Sequence, residues 1–475
     1  MLSRSDMAHV LFFDMREIDS FEGVRRVVNP MTKHPANPVL RPGPAGAWDS
    51  VRAKCYGTVL FDQESRRFRM WYSGAGPWPP YTRNIGYAES DDGVAWERRV
   101  LGLVGHAICG RNTNIVILNG QFPAVTEHAA GPHRYSCMWS PGGPTLGRYL
   151  AWSDDGIHWT RQGKDFVIPH TTKLGQLVEP TSLLDDPGDP NPEHRWKTYG
   201  QVWVRSPLKS NPANTSPIRM VGLHTSPDLV RWTEWSVPIL DPKDGLEDQI
   251  HMGIVTWYHG HYVMLYDFMY SNSSCDEELA TSRDGIHFER INNGEKVLPL
   301  GAPGEWDSSL VCSSNGFFEH EGKLWFYYVG SPENFAEGPW PPNLHEFRWF
   351  RYTGLAHHRL DGFTSLDLLD GFRSGAATTG PIDLEGAAAR LWVNAEVPAG
   401  SRLLLEIVDA ATDAPLPGFG AGECIPTVGD SVRREVRWRS RDAVETVRPV
   451  RVRLRWEGPG KLFAFGLVDP AGRGS

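Results

Sequence analysis

Three carboxylates stand where acid–base chemistry would want them: Asp49 in GAWDSVRAK, Glu179 in GQLVEPTSLL and Glu247 in DGLEDQIHMG. Each lies just ahead of, or inside, an apolar strand-like run. Cleavage of a glycosidic bond needs one protonated carboxyl to protonate the leaving oxygen and one carboxylate to attack or to activate water. Carboxyls close together in a partly dry pocket drive their pKa values apart, which supplies both roles. Polar groups at matching places would hold the substrate: Arg52 and Lys54, then Asn112 and Asn114 in GRNTNIVIL, Asp248 and His251 beside Glu247, and Asp307 in GEWDSSLV. Trp48, Trp78, Trp306 and Trp340 are the aromatic candidates for a sugar-facing wall. Two alternatives stay open. Glu247 and Asp248 are adjacent, so on a strand only one of them faces a pocket. Asp49 and Asp307 share the tripeptide Trp-Asp-Ser, which also suits a structural repeat. His251 has no second His at zinc spacing, so neither a metal nor a cofactor is expected.

Residues so far apart in sequence need a scaffold that gathers them, and the chain writes one repeatedly. AESDDGVAWER starting at Ala88 returns as AWSDDGIHWTR at Ala151, HTSPDLVRWTE at His224, ATSRDGIHFER at Ala280 and, degenerately, AHHRLDGFTSL at Ala356. Asp-Gly between apolar runs is a hairpin signal, because Gly takes the positive φ of a tight turn without steric cost. The aromatic three residues after the Gly is expected to clasp the hairpin. The third copy has Asp228-Leu229 in place of Asp-Gly, which predicts a longer or differently strained turn. Spacings of 63, 73 and 56 residues between the serines at 90, 153, 226 and 282 fit propeller blades rather than solenoid units. A pair of strand-like runs precedes each copy, as in YGTVLFD and RFRMWYSG or KLWFYYVG. The fold expected is all-β: a five-bladed propeller over 35–362, whose inner strands converge on one central pocket. Residues 1–34 are expected to pack on that propeller. From 363 to 475 aromatics thin out, and runs such as ARLWVNAEV and VRVRLRWE alternate at strand period, predicting a β-sandwich.

Composition narrows the partners. A net charge of −9 argues against nucleic acid, whose binding is dominated by basic contacts to phosphate. No run reaches the eighteen or so apolar residues of a membrane span, and MLSRSDMAHVLFFDMREID has too short an apolar stretch for a secretory signal. Six Cys without CxxC spacing read as reduced, buried thiols, so the protein is expected in the cytoplasm. The partner expected is an oligosaccharide or small glycoside; oligomeric state is not legible.

YAESDDGVAWER, TSPDLVRWTE and ATSRDGIHFER resemble the Ser-x-Asp-Leu/Gly-x-x-Trp hairpins of the five-bladed propeller glycoside hydrolases of families 43 and 32. The resemblance covers about 35–365, and the trailing sandwich is similar to that of family 32. It implies a first-blade Asp as nucleophile or base, an acidic helper about two blades later and a Glu acid one blade beyond. Asp49, Glu179 and Glu247 fall at those intervals, 130 and then 68 residues apart. It further implies hydrolysis of a terminal sugar, a furanoside such as fructosyl or arabinosyl, by exo action. The related family 130 implies phosphorolysis instead, with Arg52, Lys54 and Arg111 as candidates for a phosphate site. A third reading is a lectin-like propeller that binds glycans without cutting them.

Overall fold

The computed structural model describes residues 6–77, 83–141, 147–204, 218–242, 249–334 and 350–469, with the backbone alone for 6, 7 and 176–181. Among the described residues there is no α-helix, only a 3-10 turn at Pro192–His194, and no helix long and apolar enough to cross a membrane. The chain forms two compact units: Met31–His357, and Met1–Pro30 together with His358–Ser475.

The first unit is a five-bladed propeller of four-stranded antiparallel sheets. Its innermost strands are Arg52–Asp62, Gly120–Glu127, Gln176–Asp185, Gln249–Tyr258 and Leu310–His320, each the first strand of its blade in blades one to five. Each innermost strand touches the next, and the fifth touches the first, so the ring is closed. These strands are covered on both faces, which is why the start of Arg52–Asp62 and of Gln249–Tyr258 is buried without alternation. Blade five is completed by Thr32–Lys33, which pairs with Tyr352–Arg359. An early strand and a late one therefore share a sheet.

The repeated box has one geometry in four blades. Ser90 Oγ accepts the amide of Gly93 at 2.9 Å, and Asp92 Oδ1 accepts the amides of Val94 and Ala95, both at 2.8 Å. Ser153 with Asp155, Ser226 with Asp228, and Ser282 with Asp284 repeat the pattern. The third copy corrects the expectation of a different turn. Leu229 takes φ 68°, beside 70°, 78° and 74° at Gly93, Gly156 and Gly285. The capping bonds from Ser226 and Asp228 hold Leu229 in a conformation that costs an L-residue roughly 1–2 kcal/mol.

The turn also joins blades. Trp71 Nε1 of blade one donates to Gly156 O of blade two at 2.7 Å. Tyr199 OH of blade three donates to Gly285 O of blade four, and Tyr327 OH of blade five to Gly93 O of blade one, both at 2.8 Å. A Cβ on Gly156 would lie 2.7 Å from the Trp71 ring. By strand register, the same position in blade two is Met138, which has no donor to offer. The turn that follows Met138 around the ring is the one carrying Leu229, and both side chains belong to one buried cluster.

The second unit is a sandwich of a seven-stranded and a four-stranded sheet. Its core includes Leu391, Val393, Leu405, Ile407, Leu454 and Phe465. Residues 1–30 belong to this sandwich, not to the propeller as expected from the sequence. Asp6–Leu11 pairs with Lys461–Val468, Ile18–Glu22 with Ser374–Thr379, and Val24–Val28 with Thr364–Leu368. The physical reason is burial: Val10, Phe12 and Val24 are sandwich core residues.

Candidate functional site

The inner strands begin at one end of the ring, and there the side chains of several blades meet. Arg52 and Lys54 alternate along the blade-one strand, so a strand's period of two brings them to one face, and Tyr56 follows in the irregular stretch between Lys54 and Thr58. Lys54 Nζ lies 3.9 Å from the Tyr56 ring centroid and 5.1 Å from that of Phe122 in blade two. Such placements are attractive because a ring face carries negative charge. Tyr56 stacks on Phe122 at 5.6 Å and approaches the His251 ring of blade four at 6.4 Å. Below this group a small cavity is lined by Tyr56, Phe122, Met252, Ser313 and Asn315, among others.

His251 is the electrostatic centre of the group. Burial pushes its pKa well below the usual imidazole value, and Arg219, Lys54 and Arg351 add to the shift. Those three come from blades three, one and five. Arg219 donates to Gln249 Oε1 at 3.0 Å, and Arg351 donates to Ser331 Oγ. Arg351 forms a backbone bridge to Arg52. Burial first, then repulsion from Arg83 and Arg351, pushes Arg52 well below the usual guanidinium range. Arg83 donates to Gln121 Oε1. Gln201 Nε2 donates to the carbonyl of His251, and its Oε1 accepts from Trp203 Nε1 at 2.6 Å. Imidazole, ammonium and guanidinium groups from four blades thus gather at one end of the ring.

Of the residues singled out in the sequence, the structure brings Arg52, Lys54 and His251 together here. Glu179 lies on the innermost strand of blade three with its backbone opposite Gln201; its side chain is outside the described residues. Glu247, Asp248, Trp78 and Trp340 also lie outside the described residues.

Asp49 has a different setting. It is 2% exposed, accepts a hydrogen bond from Tyr72 OH at 2.8 Å and pairs with Arg98 at 3.1 Å. Burial raises its pKa, against the opposing pull of Arg98 and Tyr72. Asp307 has the same setting in blade five, with Tyr328 OH at 3.0 Å and Lys33 Nζ at 2.7 Å. The backbones match as well: Gly43 N donates to Asp49 O and Gly301 N to Asp307 O, both at 3.2 Å. Trp48 lies over Gly74 and Gly86, and Trp306 over Gly330 and Gly354, where any Cβ would overlap the indole. Trp48 Nε1 donates to Asn114 Oδ1 at 2.8 Å. Trp48, Asp49, Asn114 and Asp307 therefore form latches between a blade's entry loop and its sheet. Asn112 is exposed on a loop, and Arg111 donates to Gly102 O at 2.8 Å.

The residues not picked out from the sequence are Tyr56, Arg83, Gln201, Arg219 and Arg351. A signal for three of them was present. Arg83, Arg219 and Arg351 each stand five residues ahead of the first residue of a box copy, at Ala88, His224 and Ala356. In the fourth copy the same position is Cys275.

No family model and no curated protein matches the chain. Among solved structures it is similar to a glycosyl hydrolase from Bacteroides ovatus, with 15% identity and a TM-score of 0.49 over 70% of this chain and 94% of that one. It is also similar to a β-1,2-mannobiose phosphorylase from Listeria innocua in complex with β-1,2-mannobiose, with 13% identity and a TM-score of 0.47 over 70% and 98%. Likenesses of this order do not carry an activity from those proteins to this chain.

Proposed function

We propose that the protein is a glycoside hydrolase acting on an oligosaccharide or small glycoside at the starting end of the propeller's inner strands. The observation that carries this reading is the meeting of Lys54 and Tyr56 of blade one with Phe122 of blade two and His251 of blade four, and of Arg52 with Arg351 of blade five, at that end. Hydrogen-bond donors gathered beside the stacked rings of Tyr56 and Phe122 suit a polyhydroxylated ligand with one apolar face. The acid–base pair is assigned to Glu179 and to Glu247, with Asp248 as the alternative at its side. Asp49, sharing its geometry with Asp307, is assigned to the scaffold. The substrate is read as a terminal furanosyl unit, fructosyl or arabinosyl, removed by exo action. Neutral Glu179→Gln and Glu247→Gln variants are expected to lose roughly a hundred- to ten-thousand-fold in turnover while still folding.

A second reading is favoured by one observation. Arg52 bridges to Arg351 through the backbone and is repelled most by Arg83 and Arg351, a density of guanidinium groups that suits inorganic phosphate and hence phosphorolysis. One experiment separates the two: incubation with a panel of furanosides and oligosaccharides, with and without phosphate, reading products by mass. Free sugar released at equal rates in both conditions supports hydrolysis. Sugar phosphate formed only with phosphate supports the second reading. Saturable binding without any product would leave a lectin-like propeller and sink both.

A further inference from the structure

Asp267, Cys275 and Cys312, three side chains that the proposed reaction does not use, meet His251 in a dry place. His251 Nδ1 is 2.7 Å from Asp267 Oδ2 and 3.7 Å from Cys312 Sγ, and Cys312 Sγ is 3.4 Å from Cys275 Sγ. One ligand atom from each of the four lies within 4.8 Å of every other. Exposure is 3% for His251 and 0% for Asp267, Cys275 and Cys312. Three strands of blade four and the innermost strand of blade five supply them, and the two blades meet there through the Cys275–Leu310 bridge. We propose that Cys275, Cys312, His251 and Asp267 form a structural site for a thiophilic divalent cation, zinc before others, which ties blade four to blade five.

The donor set argues for that class of ion. Two thiolates, an imidazole and a carboxylate are zinc ligands, whereas calcium and magnesium take oxygen. Tetrahedral donors with bonds of about 2.0–2.3 Å sit roughly 3.3–3.8 Å apart. The Cys275–Cys312 and Cys312–His251 separations already fall in that range, and the His251–Asp267 contact has to lengthen. In the metal-free state burial keeps both cysteines as neutral thiols, with Cys275 pushed up to about 11. Binding breaks two S–H bonds and forms two S–metal bonds, and the two protons leave to solvent. Two thiolates, one carboxylate and a divalent cation leave one net negative charge. That charge lies beside a residue already faced by Arg219, Lys54 and Arg351. The sequence hid this site because its ligands lie at 251, 267, 275 and 312, with no short-range spacing.

The test uses the full chain purified under reducing conditions without chelator. About one equivalent of zinc per chain is expected by elemental analysis. After chelation, cobalt(II) titration should give intense visible bands of tetrahedral cobalt and thiolate charge transfer. Cys312→Ser should abolish the charge transfer or cut it by half or more. Cys137→Ser, which removes a buried thiol from a different cluster, should leave it unchanged. Wild-type melting is followed as well, as a readout independent of whether Cys312→Ser folds, and re-added zinc should raise it. Substoichiometric metal together with no charge-transfer band in reduced wild type would overturn the proposal. So would peptide mapping that finds Cys275 and Cys312 joined as a disulfide in freshly isolated protein.

Discussion

At the scale of single residues, the same amino acid does different work according to what touches it. Asp49 and Asp307 are buried carboxylates, each held by one tyrosine hydroxyl and one cation. Losing a charge-assisted bond at such a site costs about 2–3 kcal/mol. Asp49→Asn and Asp307→Asn are therefore expected to lower the urea midpoint by similar amounts. A variant Asp49→Asn with unchanged melting and no turnover would instead return Asp49 to the reaction. Glu277 is fully buried, and burial pushes its carboxyl up to about 8 even though Ser313 Oγ donates to it. A carboxyl whose folded pKa lies above its unfolded value holds an extra proton in the folded state. Its contribution to stability is complete below the ordinary carboxylate range and is lost as pH rises through about 8. Denaturant midpoints measured from about pH 5 to about pH 8.5 should fall for wild type and stay flatter for Glu277→Gln.

At the scale of elements, the box is a fastener between blades, and its parts vary together. Where the preceding blade offers Trp71, Tyr199 or Tyr327 as donor, the turn has a Gly whose carbonyl accepts. Where the blade offers Met138, the turn has Leu229 and substitutes apolar packing for the bond. Trp71→Phe should cost about 1 kcal/mol for the lost bond and its orphaned acceptor. Gly156→Ala should cost more, because it adds positive-φ strain and overlap with Trp71. Leu229→Gly relieves roughly 1–2 kcal/mol of strain but deletes a side chain worth roughly 2–5 kcal/mol in a core. Net destabilisation is expected, read as a lower melting temperature. These turns made the five blades legible in the sequence, since Ser, Asp, Gly and an aromatic at fixed offsets encode a local structure. The pocket was only partly legible. Arg52, Lys54 and His251 were readable because they sit beside apolar runs. Arg83, Arg219 and Arg351 enter from third strands or the loops before them, and their common register shows only once the boxes are aligned. A structural side to Asp49 was legible in the Trp-Asp-Ser it shares with Asp307, but its partners Tyr72 and Arg98 were not, because they reach it through tertiary packing.

At the scale of the whole molecule, the propeller is one continuous stretch, Met31–His357, whereas the sandwich is built from both sides of it. Residues 1–30 give the sandwich three strands that pair with segments near 366, 377 and 465. A short strand carries no local mark of the sheet it will join, which is why the sequence assigned this segment to the propeller. Deleting residues 1–30 should abolish cooperative unfolding of the sandwich while the propeller's transition persists, which calorimetry can resolve. Retention of both transitions would show the three strands to be dispensable.

The strand Thr32–Lys33 that completes blade five has a consequence for how the protein is made. Its partner, Tyr352–Arg359, leaves the ribosome some 300 residues later. At synthesis rates of about 5–20 residues per second, that is a wait of roughly 15–65 seconds. Throughout that interval blades one to four can assemble, but the ring stays open and its inner strands remain partly uncovered. The early segment is thus translated well before its partner and is among the last parts of the propeller to find its place. A nascent chain stalled before residue 352 should be held by chaperones and cut readily by protease. One stalled well past residue 359 should not.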